Sequence, residues 1–297
     1  MGYQLWTSTV TGYRRRGTRL DELFEMLDGC FVIRTIMEPL RSCVASSLAQ
    51  DVKPALMELG FDIAGVQESK DGPVVGFVVR EELQQGNISA HLKPFSAADL
   101  ISDSTTLTDL LSFLRKRERA FILLGPSVTG IVTRADLNKP PVRIYLFGII
   151  SLLEMHLQYW VNEAYPNESW RSVLTAGRLG EANKFQEERK VLGEDLALID
   201  CIQFCDKSSL LTKKADLIAN LKLVSKTKAE ELFKRAQDLR NLLAHSQSDL
   251  AQSTSWEARI ALIEKIVNVI QRSDELVGQR TQPRNESQND LSVVGQG

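Results

Sequence analysis

Gly130-Ile131-Val132-Thr133-Arg134-Ala135-Asp136-Leu137 answers an earlier stretch, Gly76-Phe77-Val78-Val79-Arg80-Glu81-Glu82-Leu83, which lies 54 residues upstream. In both, a glycine opens a run of apolar residues with strand character, and an arginine and then an acidic residue follow. A recurrence at that period points to two copies of one supersecondary unit that pack together.

Working outward, each copy carries the same order of elements. In the first, Asp51 to Leu59 has helical spacing, and the β-rich runs Phe61–Val66 and Val74–Val79 are separated by the turn Asp71-Gly72-Pro73. In the second, Leu107 to Arg117 reads as an amphipathic helix, and Ala120–Leu124 and Gly130–Thr133 read as strands. The repeated region spans residues 36–140, after an extension of residues 1–35 that holds Arg14-Arg15-Arg16 and an amphipathic helix around Asp21 to Leu27. Lys139-Pro140-Pro141 closes it, because prolines cannot continue a helix interior.

This repeat resembles the CBS domain pair, or Bateman module, a pair of βαββα-type units. The resemblance rests on Gly130, Ile131, Thr133 and Asp136, which match the family's glycine–apolar–x–Thr/Ser–x–x–Asp pattern. It implies that the Thr133 hydroxyl and the Asp136 carboxylate bind the ribose of an adenine nucleotide (AMP, ADP or ATP), with Ser102 and Phe121 near the base. An ionised carboxylate can accept hydrogen bonds from both hydroxyls of a diol, and a helix start beside it favours phosphate. Arg134 or Lys139 could add charge there. A second reading of Thr133-x-x-Asp136 is a capping box, in which the two residues close a helix start. The first copy departs from the pattern, with Val79 in place of the hydroxyl and Glu82 in place of the aspartate, so one competent site per pair is expected. This half offers no catalytic group and reads as regulatory.

Beyond Pro141 strand signals cease. Helical spacing covers Val142–Ala164, Glu181–Cys205, Lys214–Val224, Thr227–His245 and Trp256–Val277. The expected class is therefore α+β, with an all-α domain over residues 141–278 and a polar, disordered tail over 279–297. Val142 to Val161 is apolar enough to suggest a membrane span, but Arg143, Glu154, His156 and Gln158 favour a helix buried in a bundle or dimer.

Late in that domain stands Arg240-Asn241-Leu242-Leu243-Ala244-His245. It resembles the Arg–polar–three residues–His signature of the HEPN ribonucleases. The resemblance implies metal-independent RNA cleavage in which the RNA's own 2′-OH attacks phosphorus. His245 would move the proton, Arg240 would hold the phosphate, and Asn241 would orient either group. It also implies a composite site across a homodimer. Glu154 is a third polar group that could approach the motif, whereas His91 and His156 read as structural. Lys207 to Arg240 holds nine Lys and Arg against four Asp and Glu, a local excess that suits an RNA groove or a solvated face.

The totals set bounds. The chain has 297 residues, 43% hydrophobic and 25% charged, enough for about two domains with real cores. A net charge of -2 argues against coating nucleic acid by bulk charge. Cys30, Cys43, Cys201 and Cys205 have no CxxC spacing, so no metal site is expected; they read as reduced core thiols in a cytoplasmic protein. Cys201 and Cys205, four apart, would share one helix face. Three functions follow: a nucleotide sensor that controls a ribonuclease in stress or phage defence, a non-catalytic nucleotide-binding dimerisation protein, or a toxin-like component neutralised by a partner.

Overall fold

The computed structural model describes residues 14, 15, 17–245, 249–251 and 254–281. Arg16 of the basic run and positions 282–297 of the expected tail lie outside the described residues, and positions 279–281 are helical. The chain forms two compact units. One, the repeat unit, comprises Met26–Leu146 and His245–Ala261; the other, the helical unit, comprises the segment up to Glu25, Phe147–Ala244 and the chain from Leu262 onward. Neither is continuous in sequence.

Helix α1 (Leu20–Cys30) precedes the strands β1 (Glu38–Pro39) and β2 (Ser42–Val44). The first repeat continues as α2 (Ala49–Glu58), β3 (Ile63–Gln67) and β4 (Val74–Val79), followed by a short β5 (Lys93–Pro94). The second runs β6 (Leu100–Ser102), α3 (Leu107–Lys116), β7 (Arg119–Leu124) and β8 (Ser127–Thr133). Each repeat pairs its first two strands parallel and its last two antiparallel, as β2-β3-β4 and β6-β7-β8.

The helices follow from their sequences. In α3, Leu107, Leu110, Leu111 and Leu114 form one buried stripe at helical spacing. The Thr106 hydroxyl caps its start by accepting from the Asp109 amide at 3.2 Å, and Arg115 and Lys116 sit at its negative end. Strand β8 alternates in burial, with Val128, Gly130 and Val132 facing inward.

The sequence pattern did not show the fourth strand of each sheet. β1 pairs antiparallel with β8 and β5 with β4, giving the orders β1-β8-β7-β6 and β2-β3-β4-β5. Both added strands are edges and both end in proline, which lacks the N–H that an inner strand must donate. Pro39 stands opposite Gly130 and Pro94 opposite Gly76. This register explains the two glycines that open the repeated motif. A Cβ on Gly76 would lie 2.4 Å from the Lys93 carbonyl oxygen, and one on Gly130 would lie 3.0 Å from Met37 Sδ. The prolines of Glu38-Pro39 and Lys93-Pro94 mark these two edges only once their sheet partners are known.

Between the repeats, Phe121 packs against Phe77 with ring centroids 4.7 Å apart and against Phe95 at 4.8 Å. Phe121 is 1% exposed, so its ring belongs to the core and is closed to a nucleotide base.

The helical unit is built from α4 (Pro140–Ala164), α5 (Ala176–Val191), α6 (Leu198–Cys201), α7 (Phe204–Thr212), α8 (Ala215–Asn220), α9 (Lys226–Ala244) and α10 (Trp256–Thr281). The first residues of α4 and α10 belong to the repeat unit. Pro140 and Pro141 start α4 rather than stop it, because first-turn residues need no N–H donor. By length and composition α4 could cross a membrane; 56% of its most apolar stretch is buried inside the fold.

Four expectations change here. The helix read over Glu181–Cys205 is three pieces, broken from Leu192 to Ala197 and at Ile202-Gln203. Cys201 ends α6 and Cys205 lies in α7, so they do not share a helix face. All four cysteines are free, but only Cys201 is buried and Cys30 is exposed. The helix read over Lys214–Val224 stops at Asn220, where the Lys222 and Leu223 amides turn back onto the carbonyls of Ala219 and Ile218.

Candidate functional site

The last strand of the second repeat delivers Thr133 and Asp136 to a tight turn. The Asp136 carboxylate accepts from the Thr133 amide at 2.7 Å and from the Thr133 hydroxyl at 3.0 Å, both on Oδ2. The capping reading of this motif is thus realised. The other oxygen, Oδ1, is 2.9 Å from the Lys139 ammonium. Lys139 also donates to the Ile36 carbonyl at 2.5 Å and pairs with Glu38. Burial works against the Lys139 charge, but the hydrogen bonds and charges of Asp136 and Glu38 outweigh it and hold the lysine above its ordinary pKa.

Asp136 is 9% exposed, and three donors take three of the about four acceptor positions on its carboxylate. A ribose diol there would use the remaining position and compete with Lys139 for Oδ1. Thr133 spends its hydroxyl hydrogen on Asp136 and keeps its lone pairs for an incoming donor. Gly130 is buried and Ile131 is half-buried beside them on β8. Ser102 is exposed at the end of β6, where its hydroxyl meets that of Ser104 at 2.8 Å.

Arg134 is committed elsewhere. It donates to the carbonyls of Leu114 at 3.0 Å and Arg115 at 3.3 Å, closing the end of α3, and pairs with Glu257. Its counterpart Arg80 bonds the Phe61 carbonyl at 3.1 Å and Asp62 at 2.7 Å. The arginine of the repeated motif therefore ties the last strand of each copy to the region after its helix. In the first copy Glu82 faces outward and pairs with Lys93 at 2.5 Å.

In the helical unit, Arg240 lies 3.5 Å from Glu154 on α4 through its Nε. The same carboxylate binds Lys207 of α7 at 3.0 Å, whose side chain is only 5% exposed. Glu154 thus joins the motif's arginine, as its place on the long helix suggested. Asn241 is exposed on the last turn of α9. The helix ends at Ala244, so His245 leaves the helical face that it was expected to share with Asn241; it is exposed. His156 is buried, with Nδ1 2.5 Å from the Ser273 hydroxyl, and its pKa is pushed down to about 3 by burial and by the Arg14 charge. Among the described residues no His, Cys, Asp and Glu side chains form a group able to hold a metal ion.

No protein-family model and no curated protein matches the chain. Part of it is similar to solved structures. CBSX2 of Arabidopsis thaliana in complex with AMP is 19% identical, with 38% of this chain and 98% of that chain covered and a TM-score of 0.34. The CBS domain of a bacterial CNNM/CorC family Mg2+ transporter in complex with ATP is 18% identical, with 43% and 97% covered and a TM-score of 0.33. An uncharacterized conserved protein from Pyrococcus horikoshii is 20% identical, with 36% and 89% covered and a TM-score of 0.32.

Proposed function

We propose that the repeat unit is a CBS-type pair that senses an adenine nucleotide at its second copy. The observation that carries this reading is the Thr133–Asp136 turn at the end of β8, a carboxylate with acceptor capacity left beside a threonine hydroxyl. The βαββ order of both copies supports it, as does the loss of hydroxyl and aspartate at Val79 and Glu82. The ligand stabilises whichever arrangement of the protein binds it better, which makes the module regulatory. In this reading the chain works as a cytoplasmic homodimer.

The test is thermal unfolding with AMP, ADP and ATP. A ligand at 100 times its Kd adds about 2.7 kcal/mol to the wild type. Asp136→Asn keeps the shape of the turn but loses the charge that two ribose hydroxyls need, so its shift is expected to vanish. No saturable shift in the wild type, or an equal one in Asp136→Asn, overturns the reading.

A second reading is that the chain cleaves RNA through the run Arg240 to His245, with Arg240, Asn241 and His245 as the working groups. Its specific support is the Glu154 carboxylate on α4, whose Oε2 lies 3.5 Å from Arg240 Nε. Cleavage of a labelled RNA by the wild type and by His245→Ala, with and without ATP or AMP, decides it. Equal cleavage by the two proteins removes the ribonuclease reading and leaves the sensor.

A further inference from the structure

The helical unit holds a pocket of about 630 Å³, a volume suited to a small ligand. It lies between the α8–α9 turn, the first half of α9 and the middle of α10. Its walls carry five cations, Lys222, Lys228, Arg235, Lys265 and Arg272, against two carboxylates, Glu231 and Glu275. Glu231 is bound by Lys228 at 2.8 Å and Glu275 by Arg272 at 2.7 Å. Lys222 and Lys265 make no ion pair among the described residues. The hydrogen bond and charge of Lys228, with the charges of Arg235 and Lys265, hold the Glu231 carboxyl below its usual range. Leu223, Leu232 and Val269 add apolar surface.

Three carbonyls at the end of α8, next to the pocket-lining turn, have donors. The carbonyls of Ile218, Ala219 and Asn220, which would repel an anion, are capped by the Leu223 amide at 2.9 Å, the Lys222 amide at 3.0 Å and Arg272 Nε at 2.9 Å. Val224 and Lys228 flank the first turn of α9, so the positive end of a 19-residue helix borders the cavity. Lys222 itself sits at φ 54°, in the left-handed region where glycine or asparagine ends a helix at least cost. A pocket-lining cation is thus held on backbone that glycine would suit better.

We propose that this pocket binds a small polyanionic phosphate ester, with the phosphates on the lysines and the organic part on the leucine and valine surface. The pocket is separate from the Thr133–Asp136 turn, and the inference does not depend on nucleotide binding there.

Calorimetric titration with inorganic triphosphate, which has no ribose, tests it. The wild type is expected to bind saturably, and more weakly as salt rises. Lys222→Gly and Lys265→Gln are each expected to weaken binding about tenfold or more, the loss of one charge-assisted contact. Lys222→Gly is also expected to melt no lower than the wild type, because it relieves the left-handed lysine, so its weaker binding is not unfolding. Glu231→Gln is expected to tighten binding. Absence of saturable binding by the wild type overturns the proposal, as does unchanged affinity in both lysine variants. Binding of a 12-nucleotide RNA through these lysines without any triphosphate binding overturns it in favour of a polymer backbone site.

Discussion

Replacing Glu154 by glutamine removes one charge that serves two cations of different burial. Lys207 Nζ is 3.0 Å from Oε1 and its side chain is 5% exposed. Arg240 Nε is 3.5 Å from Oε2 and its side chain is 45% exposed. Removing one partner of a buried ion pair leaves an uncompensated charge and costs about 3–5 kcal/mol. Losing a solvated pair costs about 0–1 kcal/mol. Glu154→Gln is therefore expected to lose about 3–5 kcal/mol, nearly all through Lys207, whereas Arg240→Ala should lose less than about 1 kcal/mol. Denaturant unfolding followed by tryptophan fluorescence reads chiefly the helical unit, because Trp160 and Trp170 are both buried there, while the half-buried Trp256 reports the repeat unit. The double variant Glu154→Gln/Lys207→Met should recover most of the loss, since both members of the pair are gone. Equal losses in Glu154→Gln and Arg240→Ala, or no recovery in the double variant, would refute the claim that burial of Lys207 sets the cost. The outcome also bears on the motif, because a cheap Arg240→Ala leaves that arginine available for a phosphate.

The remaining expectations concern pH and packing. His156 is neutral in the fold, with its pKa pushed down to about 3, whereas an unfolded histidine titrates near 6.5. The unfolded chain takes up the proton first, so stability is lost as pH falls below about 6.5 and continues to fall toward 3. Asp274 lies 3.6 Å from Nε2 but is also bound by Arg14 and the Leu20 amide, and does not rescue the imidazolium. Between pH 7 and 5 this group removes about 2 kcal/mol; melting of wild type and His156→Gln across that range checks it, and equal slopes refute it. Gly76→Ala drives a Cβ against the Lys93 backbone oxygen, which cannot swing away, and is expected to cost about 2–3 kcal/mol. Gly130→Ala meets the flexible Met37 first and should cost less in the same denaturation assay; the reverse order would contradict the pairing of β1 and β5 with the two sheets. Phe121→Ala should lose about 3–5 kcal/mol, because the ring fills the space between the repeats; a loss below about 1 kcal/mol would mean that the ring is not core.

Much of the fold was legible because local pattern and burial agree. The stripe of leucines in α3, the alternation in β8 and the equivalence of Gly76 with Gly130 are short-range signals, and each element formed within a few residues of its expected place. The edge strands β1 and β5 were missed because two residues carry no periodicity, and only their partners in the sheet make them strands. The long helices α4, α9 and α10 were readable, but the breaks after Val191 and Cys201 were not.

The candidate sites divide the same way. From the chain alone came the residue types that could do chemistry: a threonine and an aspartate three apart, an arginine, amide and histidine within six residues, and a basic stretch from Lys207 to Arg240. Tertiary structure decided their partners. It committed Asp136 to its own turn and to Lys139, put Phe121 in the core, tied Arg134 to the end of α3 and brought Glu154 onto Arg240 and Lys207. It also gathered Lys222, Lys228 and Lys265 around one cavity, although 37 residues separate the last two. Periodicity records which face of an element is buried. Which charge a side chain meets depends on residues far away in sequence, and only packing brings them within hydrogen-bond reach.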